Sequence, residues 1–97
     1  MSSVVFHAEA AAEFGAAARY YESRRSGLGA AFISEVERTT SMIELRPLIG
    51  APFGASHRRA IVRRFPYTII YRRKGDAIEV VAVAHQHRRP GYWRERM

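Results

Sequence analysis

Paired arginines mark the carboxyl-terminal half of the chain. They are Arg58-Arg59, Arg63-Arg64, Arg72-Arg73 and Arg88-Arg89, and each pair borders a short apolar run with the alternation of a β-strand. A guanidinium group binds phosphate or carboxylate oxygens through a planar fork of donors. Because the twist of a sheet gathers strand ends on one concave side, the spacing predicts a basic surface for an anionic partner or nucleic acid. Its predicted contact residues are Arg59, Arg63, Arg72, Arg88 and Arg89.

Two histidines follow this basic sequence at the end of the last apolar run. His85 and His87 are two residues apart, so they project to the same side of an extended chain. His85 beside arginines is a candidate for proton transfer from a ribose 2′-hydroxyl. The alternative is a structural histidine that hydrogen-bonds the backbone of the carboxyl-terminal tail. His7 and His57 are the only other imidazoles and cysteine is absent, so the sequence predicts no metal site and no cofactor.

An aromatic pair, Tyr92-Trp93, comes after Pro90-Gly91 near the carboxyl end. Exposed aromatic rings can stack on bases. Large rings at the end of a small domain more often cap its core, and the sequence favours this second interpretation.

Charge is divided unevenly between the two halves of the chain. Residues 1–50 hold five Arg against six Glu, whereas residues 51–97 hold ten Arg and one Lys against two Glu and one Asp. The net charge of +7 therefore comes from the second half, which favours an acidic protein or nucleic acid as partner. The alternative is that the base composition of the gene raises the number of Arg codons and that these side chains only form a solvated surface.

Length and composition predict the class of protein. The 97 residues allow one domain, 1–97. The absence of Cys suits a reducing compartment. No run of about 20 apolar residues and no basic, apolar leader is present, so we expect a cytoplasmic protein without a membrane partner.

The periodicity of apolar residues predicts an α+β fold. A short strand at 3–7 precedes a helix at 8–24 and a second helix at 28–45, which are separated by a glycine-containing turn and form a hairpin. The helix stripes are Ala10, Phe14, Ala17 and Tyr21, then Leu28, Phe32, Val36, Thr39 and Ile43. The period then changes to two, which predicts a twisted antiparallel β-meander joined by the first strand.

Both faces of the last predicted strand, Ala77 to His85, are apolar. Ile78, Val80, Ala82 and Ala84 are predicted to share one face, and Glu79, Val81, Val83 and His85 the other. A sheet covered by helices on one side needs one apolar face. The second is therefore either packed within the chain or a docking surface for another chain.

Segments spread along the chain resemble the ParE-like branch of the RelE/ParE superfamily of bacterial toxins. The resemblance rests on the order and spacing of several short segments. They are Tyr20-Tyr21, Gly27-Leu28-Gly29 followed by Phe32 and Glu35-Val36, Arg63-Arg64-Phe65-Pro66-Tyr67 with Ile69-Ile70-Tyr71, and Ala84-His85 with Arg88-Arg89-Pro90-Gly91-Tyr92-Trp93.

The resemblance implies the toxin of a type II toxin–antitoxin pair, neutralised by a cognate antitoxin that wraps around it. Val81, Val83 and Arg64 are the expected antitoxin contacts. ParE-like members inhibit DNA gyrase without catalysis, whereas RelE-like members cleave mRNA on the ribosome. Cleavage would use Arg63, His85 and Tyr92. The only lysine is in a turn and Gln86 follows His85, so the pattern favours the gyrase-directed branch. A basic nucleic-acid-binding module without toxin activity is the alternative from outside the family.

Overall fold

Seven elements follow one another along residues 3–96, the part of the chain that the computed structural model describes. They are β1 (Ser3–Phe6), α1 (Ala8–Arg24), α2 (Leu28–Leu45), β2 (Ala51–Pro52), β3 (Arg58–Ile61), β4 (Tyr67–Lys74) and β5 (Ala77–His85). The strands form one sheet in the order β1-β5-β4-β3-β2. Strands β3, β4 and β5 are the antiparallel meander, β2 pairs antiparallel with β3, and β1 runs parallel to β5. The predicted α+β fold is confirmed.

The two helices have the predicted bounds, and their predicted stripes lie in the core. The turn between them is closed by Glu22, whose carboxylate accepts hydrogen bonds from the backbone N–H groups of Gly27 and Gly29 at 3.0 Å each. Gly27 has a φ of 88°, in the left-handed region that favours glycine. At Gly29 a Cβ atom would lie 2.6 Å from the carbonyl oxygen of Ala18. The helices can therefore approach this closely only because glycine stands there.

The sheet has an apolar cluster on each face. The helix-side cluster contains aromatic rings from four elements and the turn before β4, namely Phe6, Phe14, Tyr21, Phe32, Phe65, Tyr67 and Tyr71. The outer cluster, on the opposite face, contains Ile70, Val81, Ala82, Ala84 and Trp93, with Phe53 and Tyr92 packed against it. The second apolar face of the last strand is therefore covered largely by the chain's own carboxyl-terminal segment.

A β-bulge in β5 changes which residues share a face. Ile70 pairs with Ala82 but its neighbour Tyr71 pairs with Val80, so β5 has one extra residue between these pairs. The prediction that Ile78 and Val80 share a face with Ala82 and Ala84 is wrong for this reason. Ile78 and Val80 lie in the helix-side cluster together with Val83, whereas Val81, Ala82 and Ala84 lie in the outer cluster.

The end of β1 differs from the predicted pattern. His7 is the N-cap of α1 rather than the last residue of β1, and its Nδ1 accepts a hydrogen bond from the Glu9 N–H at 3.0 Å. Strand β3 ends at Ile61, and residues 62–66 form a turn in which Arg64 has a φ of 70°. Phe65 is buried although it lies in this turn rather than in a strand.

Candidate functional site

A groove of about 490 Å³ lies on the outer face of the sheet, between the carboxyl-terminal segment and β2 and β3. We call it the outer groove. Its lining combines apolar side chains from the sheet, aromatic rings and basic side chains. The lining residues are Ala51, Phe53, Arg59, Ile61, Thr68, Ile70, Ala84, His85, Gln86, Arg88, Arg89, Pro90, Tyr92 and Trp93.

Three of the predicted arginines meet in this groove. Arg59 comes from β3, and Arg88 and Arg89 come from the segment after β5. Two are oriented by aromatic rings: the Arg88 guanidinium lies 3.9 Å from the centre of the Tyr92 ring, and that of Arg59 lies 4.9 Å from the centre of the Phe53 ring. Such stacking leaves the edge of the guanidinium free to donate hydrogen bonds. The groove therefore offers oriented donors above an apolar floor.

The other two predicted arginines lie outside the outer groove. Arg72 makes an ion pair with Glu79, with an Nη2–Oε1 distance of 2.9 Å, and Lys74 lies 3.4 Å from the other oxygen of that carboxylate. Burial raises the pKa of Glu79, but hydrogen bonds from Arg72 and the charge of Lys74 outweigh it and hold the pKa below its ordinary value. Arg63 is exposed in the turn after β3. Arg72 is thus already paired, whereas Arg63 points to a different surface.

His85 lines the groove but takes part in the local structure. Its Nδ1 accepts a hydrogen bond from the backbone N–H of His87 at 3.0 Å, a contact of the kind that the structural interpretation expects. Its ring also packs edge-on against Tyr67, with ring centres 5.1 Å apart. Because Nδ1 is the acceptor, the neutral ring carries its proton on Nε2. In this tautomer neither ring nitrogen is a free acceptor for a substrate proton.

Tyr92 is held by a cluster centred on Glu13 of α1. The Tyr92 hydroxyl donates to Glu13 Oε2 at 2.7 Å, and Arg96 donates to both carboxylate oxygens at 2.9 Å. The backbone N–H of Val83 donates to Oε1 at 3.0 Å. Arg96 also donates to the carbonyl oxygen of Val81 at 3.0 Å. These contacts tie the carboxyl-terminal segment to both α1 and β5.

The cluster shifts the ionisation of its members in opposite directions. Burial raises the pKa of Glu13, but the hydrogen bonds from Arg96, Tyr92 and Val83 outweigh it and hold the pKa below its ordinary value. Burial, together with the hydrogen bond to the Glu13 carboxylate, raises the pKa of Tyr92 far above its ordinary value. Tyr92 therefore keeps its proton and donates a hydrogen bond to the ionised Glu13.

Trp93 anchors the carboxyl-terminal segment on the outer face. Its side chain is 2% exposed. Its ring centre lies 4.7 Å from that of His57 and 5.6 Å from that of Phe53. Burial is the main reason that the pKa of His57 is lowered, and the charges of Arg72 and Arg94 add to the effect. The prediction that the aromatic pair caps the core is confirmed.

The predicted antitoxin contacts occupy three different environments. Val81 is 1% exposed and belongs to the outer cluster, and Val83 is 2% exposed and belongs to the helix-side cluster. Arg64 is exposed in the turn before β4. In this conformation the two valines present no side-chain surface to another chain, and only Arg64 does.

Sequence reasoning missed Glu13, Arg96 and Phe53. Glu13 directly precedes Phe14 of the apolar stripe, and an acidic residue bordering such a stripe is a weak signal of a buried partner. Arg96 is 83 residues from Glu13 along the chain, and no local pattern links the two. Phe53 stands in the Gly/Pro loop, where its neighbours give no periodicity.

Two kinds of feature are absent from residues 3–96. No three His, Asp or Glu side chains of this part of the chain are grouped so that they could hold a metal ion. No helix there has the length and apolar character needed to cross a membrane.

Comparisons with known proteins agree with the fold. A solved structure described as the chromosomal ParDE TA system from P. aeruginosa is similar, with a TM-score of 0.74 and 19% sequence identity over 88% of this chain and 96% of that chain. No curated protein sequence gives a significant match. The family model described as "ParE toxin of type II toxin-antitoxin system, parDE" matches residues 4–90. The chain therefore belongs to the ParE toxin family of type II toxin–antitoxin systems.

Proposed function

We propose that this toxin inhibits DNA gyrase through the outer groove and that a cognate antitoxin neutralises it. The main observation in support is that the outer groove combines three arginines with an apolar floor. The side chains of the two candidate catalytic residues in its lining, His85 and Tyr92, already make hydrogen bonds within the chain. His85 accepts from the backbone and Tyr92 donates to Glu13. Such a site suits binding through shape and charge rather than proton transfer.

Ribosome-dependent cleavage of mRNA is the second candidate function. The observation in its favour is that His85 lines the same groove as Arg88 and Arg89. Before His85 could accept a proton, its ring would have to release the His87 N–H, since Nδ1 is occupied by that hydrogen bond and Nε2 carries the ring proton. Arg63, the third residue expected in such a mechanism, is absent from the lining of this groove.

The substitution His85→Gln separates these functions when the toxin is expressed in bacteria without antitoxin, and Arg88→Ala is the comparison that should weaken both. His85→Gln retains a hydrogen-bonding amide but cannot transfer a proton, so a nuclease would lose about 10²–10⁴-fold in rate. A gyrase inhibitor should remain toxic with this substitution. Arg88→Ala should attenuate either activity because it removes a charged contact. Gyrase-linked DNA breaks and codon-positioned mRNA cuts are measured in the same cultures.

The result is interpretable only for folded protein. Far-ultraviolet circular dichroism of each purified variant provides that control. Loss of toxicity in folded His85→Gln, together with mRNA cuts in the parent, would favour the nuclease. DNA breaks that persist in His85→Gln and fall in Arg88→Ala support gyrase inhibition.

The proposed antitoxin is acidic and amphipathic, because the basic half of the toxin requires charge compensation. We expect a complex of nanomolar or tighter affinity that buries more than about 1,200 Å² in total. The candidate partner is a protein encoded by a reading frame adjacent to that of the toxin. Co-expression of that protein should restore growth, and failure to do so would refute neutralisation by it.

A further inference from the structure

The charged side chains around the outer groove all have one sign. Arg59, Arg88 and Arg89 line it, and no Asp or Glu is among the described residues of its lining. His85 adds a further donor, because its Nδ1 is occupied by the His87 N–H and the ring proton is on Nε2. A ligand of this groove must therefore supply acceptor oxygens, and phosphate and carboxylate are the groups that guanidinium binds best.

The guanidinium groups of the groove are available to a ligand. Arg59, Arg88 and Arg89 are exposed, and none of them makes an ion pair with an acidic side chain of residues 3–96. Arg88 and Arg59 each stack on one aromatic ring, that of Tyr92 and that of Phe53. Because both arginines are exposed, the opposite face of each guanidinium plane is open. A flat aromatic ligand can stack on such a plane.

The floor of the groove is apolar and wide enough for a flat ring. Ile61, Ile70 and Ala84 contribute to it, and the volume of about 490 Å³ lies within the roughly 300–1,000 Å³ of small-ligand sites. A phosphate group alone would leave this floor uncovered. An unpaired base attached to the phosphate would cover it, whereas the bases of a duplex are already stacked on one another. The groove therefore fits a nucleotide of an unpaired strand.

Positive charge continues beyond the groove along the same face of the sheet. The Arg94 guanidinium lies 5.0 Å from the centre of the Trp93 ring, and that ring contacts Phe53 of the groove lining. A Cβ atom on Gly54 would lie 3.6 Å from Arg94 Nη1, so this arginine stands beside the loop that follows Phe53. Arg94 is exposed and makes no ion pair among residues 3–96. A row of separate cations fits the successive phosphates of a strand better than one small anion.

An acidic peptide is the competing occupant, and the groove suits it less well. A peptide brings one N–H donor with almost every residue, yet the charged side chains of the lining are donors only. A nucleic-acid strand brings one phosphate and one flat base with every nucleotide. Phosphates match the guanidinium groups, and bases match the apolar floor and the open guanidinium planes.

We infer that the outer face of the sheet binds a single strand of nucleic acid, with one unpaired base in the outer groove and phosphates on Arg59, Arg88 and Arg94. Only the source of the strand rests on the proposed function, which makes it the DNA that gyrase cleaves. The toxin would then hold the opened DNA as well as the enzyme. RNA has the same phosphates and flat bases, so the test includes both nucleic acids.

The first test measures the affinity for a fluorescein-labelled oligothymidylate of about 12 nucleotides, a length typical of small single-strand-binding domains. Fluorescence anisotropy is recorded at several salt concentrations. Arg59→Ala should bind at least about tenfold more weakly than the parent. Its plot of log affinity against log salt should be shallower by about 0.7, the slope of one phosphate contact with a single strand.

Arg38→Ala is the matched control, because it removes the same charge from an exposed position of α2. Its affinity should stay within about twofold of the parent, and its salt dependence should be unchanged. Equal affinities in the three proteins would overturn the inference. Polyglutamate that displaces the oligonucleotide as readily as unlabelled oligothymidylate does would also overturn it, in favour of an acidic peptide.

The second test asks whether a base occupies the groove. An oligonucleotide of the same length with abasic sites keeps every phosphate, and it should bind at least about fivefold more weakly because stacking is lost. A duplex of the same sequence should also bind more weakly than the single strand. Equal binding of the abasic strand would refute a base in the groove.

The source of the strand is decided by comparing oligothymidylate with oligouridylate and by a supercoiling assay with purified gyrase. Preferential binding of RNA would support the nucleotide site and assign it to the second candidate function. A toxin that binds single-stranded DNA but leaves gyrase active would support this inference and refute the proposed function. A toxin that inhibits gyrase but binds neither single strand would refute this inference and leave the proposed function standing.

Discussion

At the scale of single residues, Glu13 joins α1, β5 and the carboxyl-terminal segment. Strand β1 ends opposite Val80, so β5 continues beyond it without a neighbouring strand on that edge. Glu13 accepts from the N–H of Val83, and Arg96 donates to the carbonyl oxygen of Val81. The side chains of Glu13 and Arg96 thus hydrogen-bond the backbone of β5 where no strand lies beside it. Buried backbone N–H and C=O groups require such partners.

Replacement of Glu13 by Gln should lower the free energy of unfolding by about 2–3 kcal/mol at pH 7, because Arg96 loses its charged partner. Glu9→Gln is the matched control, since Glu9 also faces Arg96 but lies 3.9 Å away and is 65% exposed. That change should cost less than about 1 kcal/mol. Urea denaturation measures both, and equal losses would show that the cluster contributes no more than a surface pair.

The lowered pKa of Glu13 predicts that the stability of the protein depends on pH. The pKa of Glu13 in the folded protein is below its ordinary value of 4.5. The ionised carboxylate therefore contributes its full share to the free energy of unfolding above pH 4.5, and this share is lost as the pH falls through the lowered pKa. Stability of the parent should therefore fall on acidification, with Glu79 acting in the same direction. The free energy of unfolding of Glu13→Gln should fall less steeply with decreasing pH than that of the parent. Parallel plots of unfolding free energy against pH for the two proteins would contradict a stabilising role for the ionised Glu13.

At the scale of elements, periodicity predicted the helices and the last strand with their observed bounds, because each carries an uninterrupted stripe of apolar residues. The bulge at Val81 was not predictable, since alternation alone contains no signal for one inserted residue. It moves Val83 to the helix side and leaves Val81 beneath the carboxyl-terminal segment. The prediction that Val81 and Val83 face a partner chain together assumed the same alternation without a bulge.

Phe32 tests the packing of α2 on the sheet. Its side chain is fully buried and its ring contacts those of Tyr21, Phe65 and Tyr67 at centre distances of 5.1–5.2 Å. Phe32→Ala should cost about 3–5 kcal/mol, a large share of the about 5–15 kcal/mol typical of a domain. The neighbouring Ile33 is 37% exposed, so Ile33→Ala should cost under about 1 kcal/mol. Thermal unfolding distinguishes the two, and similar melting temperatures would refute the packing.

At the scale of the whole molecule, the sheet lies between the helices on one face and the outer groove on the other. The family and the basic surface were predictable from the sequence, and the family match confirms the resemblance. The arrangement of the arginines was not, because their partners are distant in the chain: Arg59 stacks on Phe53 and Arg88 on Tyr92. Counting charges could not distinguish these oriented side chains from Arg72, which is paired with Glu79.

The fluorescence of Trp93 can be used to follow the packing of the carboxyl-terminal segment on the sheet, since Trp93 is the only tryptophan. It is buried between the carboxyl-terminal segment and the sheet, so its fluorescence reports docking of that segment. We expect the fluorescence transition in urea to coincide with the loss of helical circular dichroism, as in a two-state domain. A fluorescence change at lower urea concentration would show that the segment detaches before the rest unfolds.

The pairing of β1 with β5 has a consequence for synthesis on the ribosome. The first strand at Ser3–Phe6 acquires its neighbour only when Ala77–Val80 has been made, and the contact between Glu13 and Arg96 spans 83 residues. The helical hairpin can form early from local contacts, but the sheet cannot close until almost the last codon has been read. A nascent chain therefore lacks part of the outer groove until residues 84–93 have been made. The surface that we propose as the binding site is therefore complete only when synthesis ends.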